Sequence, residues 1–129
     1  MDLIKTARDI AVPNKLSMEA TSGDVGAALV SDNGEVYTGV SLNAACGIGA
    51  CAEYGAIIQM LKDGRSEIKK IVAVNSLGNI MPPCGRCREL MYQINRNNLN
   101  TKIILSEENE TTLKSLLDPR WQDVYEVDK

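Results

Sequence analysis

Apolar residues fall at Leu3, Ile4, Ala7, Ile10 and Ala11, the spacing of one helix face, and Pro13 closes the pattern by removing a backbone donor. A first amphipathic helix is predicted there. The next segment, NKLSMEATSGD at 14–24, carries no period and has the composition of a loop. VGAALVSD at 25–32 and EVYTGVSL at 35–42 are short apolar runs on either side of Asn33-Gly34, a dipeptide that accepts the positive φ angles of a tight turn. They predict an antiparallel hairpin. From Ala50 to Leu61 the chain is apolar nearly all round, which predicts a buried helix, and Lys62, Asp63 and Gly64 supply its stop. IVAV at 71–74 and IIL at 103–105 suit strands covered on both faces, and a helix is predicted between them from about Cys84 to Arg96. TTLKSLL at 111–117 predicts a last helix, followed by a tail with Trp121 and Tyr125. This order implies an α/β fold with a mixed sheet, its later strands joined by right-handed helical crossovers.

With 129 residues the chain is expected to form one domain spanning 1–129, long enough for a single core. The formal charge of −3, with no dominant charge run, gives no basic footprint for nucleic acid or an anionic membrane; a small neutral or cationic partner fits better. No stretch reaches the roughly 20 apolar residues that cross a bilayer. Lys5, Arg8 and Asp9 interrupt the N-terminal segment, which lacks a signal peptide's apolar centre, so the cytoplasm is the expected compartment. Thiols stay reduced there. Four cysteines without a single histidine then point to metal or thiol chemistry rather than disulfides.

Cys84 and Cys87 are three apart, so in a helix's first turn both sulfurs lie on one side and can grip one ion; a dithiol redox pair has the same form. Cys51 also sits at a predicted helix start and supplies the third ligand that a catalytic zinc takes beside an open position. Helix dipoles and unpaired N–H groups favour thiolate at both places. Glu53, in the same first turn as Cys51, can reach a water on that ion, an arrangement for metal-assisted hydrolysis; alone it reads equally as a surface carboxylate favoured by the dipole. Three thiolates exceed the charge of one zinc. Arg86 and Arg88, flanking Cys87, are candidates to offset that excess, or are ordinary surface arginines. Cys46 falls outside the set and reads as a small buried side chain or a loop thiol.

CAE at 51–53 followed by PCGRC at 83–87 resembles the zinc signature of the cytidine deaminase family in its three-cysteine form. VGAALVSDNGEVYTGV is similar to that family's β-hairpin and PCGRCREL to its second metal helix, so the likeness covers most of the chain. The resemblance implies a three-layer α/β/α fold around a mixed sheet of about five strands, Zn2+ on Cys51, Cys84 and Cys87, and Glu53 as proton shuttle. It implies attack of a zinc-activated water on C4 of a cytosine ring with loss of ammonia, the general chemistry of zinc deaminases. Ala52, Pro83 and the backbone near Met81 fall where the family holds the base and its leaving amine.

Ser41 and Asn43 stand where nucleoside-specific members carry an asparagine and a glutamate that hold ribose, and a neutral amide cannot reproduce that carboxylate. Tyr54 stands where many members have arginine. PCGRCR without that arginine resembles the blasticidin S deaminase branch, which also places a C-terminal aromatic near the substrate, a part open to Trp121 or Tyr125. With no phenylalanine in the chain, the aromatic that many relatives set over the pyrimidine is absent or is another residue. GDV at 23–25 and NAACGIG at 43–49 are expected to shape the pocket, and the family implies a homotetramer. The expected function is therefore a zinc-dependent hydrolase releasing ammonia from a cytosine nucleoside or a blasticidin S-like cytosine antibiotic. The alternatives are a non-catalytic zinc-binding module of this fold, an aminohydrolase for another aminopyrimidine, and a CGRC dithiol oxidoreductase.

Overall fold

Asp2 starts the first helix by accepting a hydrogen bond from the Lys5 N–H, and the apolar stripe read from the sequence buries Leu3 and Ala7. The computed structural model describes residues 2–125. In chain order the elements are α1 (Leu3–Ile10), β1 (Asn14–Lys15), β2 (Ala20–Ser31), β3 (Val36–Ala44), α2 (Ala52–Lys62), β4 (Ile68–Asn75) and β5 (Ile80–Met81). They continue with α3 (Gly85–Ile94), β6 (Lys102–Ile104), β7 (Glu110–Thr112) and α4 (Leu113–Leu117). Among the described residues no helix is long and apolar enough to cross a membrane.

The long β2 carries the sheet. β3 pairs with one of its edges, while β4 and the two-residue β1 share the other. Likewise β5 and β6 share the far edge of β4, and β7 closes the sheet, so the seven strands form five rows in the order β3-β2-β4-β6-β7. β3 and β4 both run antiparallel to β2, hence parallel to each other, and β6 runs parallel to β4. The connections through α2 and α3 are thus crossovers in a mixed sheet, as expected from the order of elements.

Alternation along the strands divides the core. Leu29, Ile71 and Ile103 face Ile57, Met60, Met91 and Leu113 on one side, whereas Ala28, Val72, Val74 and Ile104 face Leu3 and Ala7 of α1 on the other. Three layers result. On the first side Ala27, Ala52 and Ala73 form a patch of small residues that lets the start of α2 approach the sheet closely. Gly39 completes that approach: a Cβ there would lie 2.4 Å from the Ala52 oxygen and 2.5 Å from the Ala56 nitrogen.

Three short strands depart from the sequence reading. The segment at 14–24 is no simple loop: Asn14 and Lys15 pair with Ser22 and Thr21 in a small hairpin. β1 is fully exposed, so it has no apolar period to announce it. The opening threonines of TTLKSLL belong to β7, and Thr112 then caps α4 by accepting from the Ser115 N–H. β5 owes its place to pairing with Ala73 and Val74 rather than to its own two residues.

A buried polar knot joins β4 to the end of α3. Asn98 is fully buried; its Oδ1 accepts from the Ile68 N–H at 2.7 Å, and its Nδ2 donates to the Met91 and Ser66 carbonyls at 2.8 and 3.0 Å. Asn98→Ala would orphan all three groups. We expect it to cost roughly 3 kcal/mol, read as a lower urea midpoint at unchanged denaturant slope.

Candidate active site

Cys51 and Cys84 occupy equivalent places. Each is the residue just before a helix, in extended conformation, which sets each sulfur at a helix start. Cys87 lies in the first turn of α3 and is buried. The three sulfurs lie within 4.8 Å of one another, with Cys51 and Cys84 only 3.5 Å apart. Zinc–thiolate bonds of about 2.3 Å require tetrahedral sulfurs roughly 3.8 Å from each other, so the trio fits one such ion.

Electrostatics favours the same occupant. Burial pushes the Cys51 thiol up and holds Cys87 far above the ordinary thiol range. Burial also opposes ionisation of Cys84, but the backbone N–H groups of Cys87 and Arg86 and the neighbouring thiols outweigh it, and Cys84 falls below its usual value. Cys84 thus gives up its proton most readily of the three, while Cys51 and Cys87 need a nearby cation to lose theirs.

Glu53 is no surface carboxylate. It is 6% exposed, and burial raises its carboxyl above the usual range, partly offset by its own backbone N–H. On one side it borders a small void whose other walls are apolar, among them Ile71, Ala73, Met81, Pro83 and Ile103. Glu53 also lines a cleft of about 530 Å³ together with Cys51, Cys84 and Arg86, a size that takes a small organic molecule.

Of the substrate-side residues, Ser41, Asn43 and Ala52 line this cleft, as do parts of the GDV and NAACGIG segments. Pro83 does not: Pro82 lines the cleft, while Pro83 is buried beside Glu53. Arg88 holds that turn, donating from Nε to the Pro83 carbonyl at 2.8 Å and from a terminal nitrogen to the Leu116 carbonyl at 3.2 Å. Arg86 lies over the Tyr54 ring, 5.5 Å from its centroid. Among the described residues neither arginine side chain hydrogen-bonds a cysteine sulfur; backbone N–H groups at the start of α3 serve Cys84 instead. Trp121 and Tyr125 meet edge-on at 6.4 Å, remain exposed, and do not line the cleft. Cys46 is an exposed loop thiol with a φ of 63°.

Residues 2–102, which contain the three clustered cysteines and Glu53, match the family model for the cytidine and deoxycytidylate deaminase zinc-binding region. The chain belongs to this deaminase family. Its zinc-binding region and the cluster of Cys51, Cys84 and Cys87 identify the ion as zinc. A cytidine deaminase of Halalkalibacterium halodurans is 37% identical over 71 residues, 54% of each chain. One from Mycobacterium tuberculosis is 33% identical over 70 residues, covering 54% of this chain and 53% of that one. The chain thus spans about half the length of the curated relatives it matches. In three dimensions the likeness is broader: the crystal structure of cytidine deaminase from Mycobacterium tuberculosis superposes with a TM-score of 0.75 at 26% identity, over 92% of this chain and 94% of that one. That of Mycobacterium leprae gives 0.73 at 28% identity, over 92% and 95%.

The GDV segment expected to shape the pocket contributes one polar side chain to the cleft. Asp24 lines it and accepts a hydrogen bond from Asn43 Nδ2 at 2.6 Å. The neighbouring Gly23 takes a φ of +87°, which makes the strand irregular there.

Proposed function

We propose that the protein is a zinc-dependent hydrolytic deaminase that releases ammonia from C4 of a small cytosine-containing molecule, either a nucleoside or a blasticidin S-like antibiotic. The observation that carries this reading is a buried Glu53 that shares one cleft with Cys51 and Cys84 of the three-cysteine zinc site. Bound zinc supplies the Lewis acidity that makes water nucleophilic near neutral pH. The chain's own residues do the rest. The Glu53 carboxylate takes a proton from that water and returns it to the departing amine, so that water and an aminopyrimidine become a pyrimidinone and ammonia. Its apolar surroundings keep bulk water from competing for the proton. Ala52, at the first turn of α2, offers backbone groups to the base in the cleft.

Asn43 in place of a carboxylate, Tyr54 after Glu53, and PCGRCR at 83–88 support a substrate other than plain cytidine, in the manner of the blasticidin S branch. Exposed Val40 on β3 and Ile58 and Leu61 on α2 support association into a homo-oligomer, with a tetramer as the family pattern. The test is ammonia release by zinc-loaded protein from cytosine, cytidine, deoxycytidine and blasticidin S in parallel. Turnover of at least one is the expected outcome. Full metal loading with no turnover of any would move the assignment to a zinc-binding module without catalysis.

A further inference from the structure

The β2–β3 ladder is regular except at one place. Ser22 pairs with Leu42 and Gly26 with Val40, so Gly23, Asp24 and Val25 together oppose the single residue Ser41. This bulge is held from several sides. Gly23 takes a φ of +87°, and a Cβ on it would lie 2.0 Å from the Val12 oxygen, so only glycine fits. The Asp24 carbonyl accepts from the Ser76 N–H at 2.8 Å. Ser41 is buried, and its Oγ accepts the Val25 N–H at 2.9 Å, satisfying a donor that the interrupted ladder leaves over. Bulges beside sites re-aim side chains, and here Asp24 lines the cleft that contains Cys51, Cys84 and Glu53.

Asp24 Oδ2 accepts from Asn43 Nδ2 at 2.6 Å, while Asp24 Oδ1 and Asn43 Oδ1 take no hydrogen bond among the described residues. Two neighbouring residues of the cleft wall thus each keep an acceptor oxygen in reserve. Carboxylate and amide oxygens only accept, so their complement is a group that donates. A cleft of about 530 Å³ also exceeds what one pyrimidine ring fills, leaving space for a substituent on the ring.

We propose that Asp24, oriented by the bulge and steadied by Asn43, is a specificity-determining residue that binds a hydrogen-bond-donating substituent of the cytosine substrate, a hydroxyl or an ammonium group. In this assignment the Ser41 oxygen is committed to the backbone, and Ser41 acts as a positioning residue for Asp24. The assignment rests on the deaminase reading above but concerns the other part of the substrate.

The experiment compares the zinc-loaded parent, Asp24→Asn and Asn43→Ala on cytidine, 1-methylcytosine and 3′-amino-2′,3′-dideoxycytidine. Each compound is also titrated calorimetrically, so that affinity is read without turnover. Asp24→Asn keeps shape and removes charge. It is expected to weaken the ligands whose substituent carries a donor by roughly 10- to 100-fold, mainly in KM and Kd, and to leave 1-methylcytosine within about twofold. Asn43→Ala should produce a smaller loss with the same selectivity. A selective loss on cytidine identifies hydroxyls as the partner, and one on the amino compound identifies ammonium. Equal effects on all three ligands, or none, overturn the role of Asp24. Absence of ammonia from every compound with selective binding losses intact would overturn the deaminase reading instead.

Discussion

Glu53→Gln is expected to lower kcat for ammonia release by roughly 10²- to 10⁴-fold, the range typical for loss of a positioned general acid–base group. The substitution is nearly isosteric, so the packing of the buried Glu53 side chain and the places of the cysteines are kept. What disappears is the group that can both take and return a proton. Because burial already disfavours the ionised carboxylate, a neutral amide at this site should not lower stability. The sign follows from linkage: a carboxyl whose folded value is raised helps the fold at low pH and loses that benefit as pH climbs through the folded value. Glu53→Gln should therefore melt no lower than the parent at neutral pH and retain stoichiometric zinc. Metal analysis, thermal melts and ammonia assays on one preparation check all three points. A variant that retains zinc and the parent's kcat would remove Glu53 from the mechanism.

The site was legible in the sequence wherever chemistry coincided with a helix start. Cys51 and Cys84 could be placed because each precedes a strongly patterned helix, and Cys87 followed from the geometry of one turn. The hairpin and the central strands were equally plain, since burial on one or both faces imposes a pattern. What escaped notice depends on neighbours distant in sequence. β1 and β5 have two residues each, and nothing in so few residues distinguishes a strand from a loop. The sequence places GDV at the pocket, but which of its side chains faces the cleft depends on Ser41, Ser76 and Val12, which fix a bulge around Asp24 from several elements and loops. Arg88 looked like a partner for the thiolates because it adjoins Cys87, but α4 supplies the Leu116 carbonyl that draws it elsewhere.

Removing zinc is expected to lower the melting temperature by about 10 °C or more. A ligand held at a thousand times its dissociation constant contributes about 4 kcal/mol, and each kcal/mol corresponds to roughly 3–5 °C for a domain of this size. The effect should centre on the starts of α2 and α3. These helices share the core below, with Ala56 and Met91 in one cluster, but α2–α3 is not among the closely packed pairs of elements. At the cleft, bound zinc would join the two helix ends through Cys51, Cys84 and Cys87, beside the Arg86–Tyr54 contact. Metal uptake must also displace protons, because burial keeps Cys51 and Cys87 protonated in the absence of a cation. Zinc affinity should therefore rise from pH 6 to pH 8, and the melting difference between loaded and chelated protein should widen over the same interval. Competition against a chromogenic chelator at each pH measures the first, and paired thermal scans measure the second. Cys87→Ala removes the most buried ligand and should abolish both the tight zinc binding and its pH dependence. If the chelated protein instead melted with the loaded one at every pH, the cluster would not be holding the two helices, and the metal's part in the fold would be refuted.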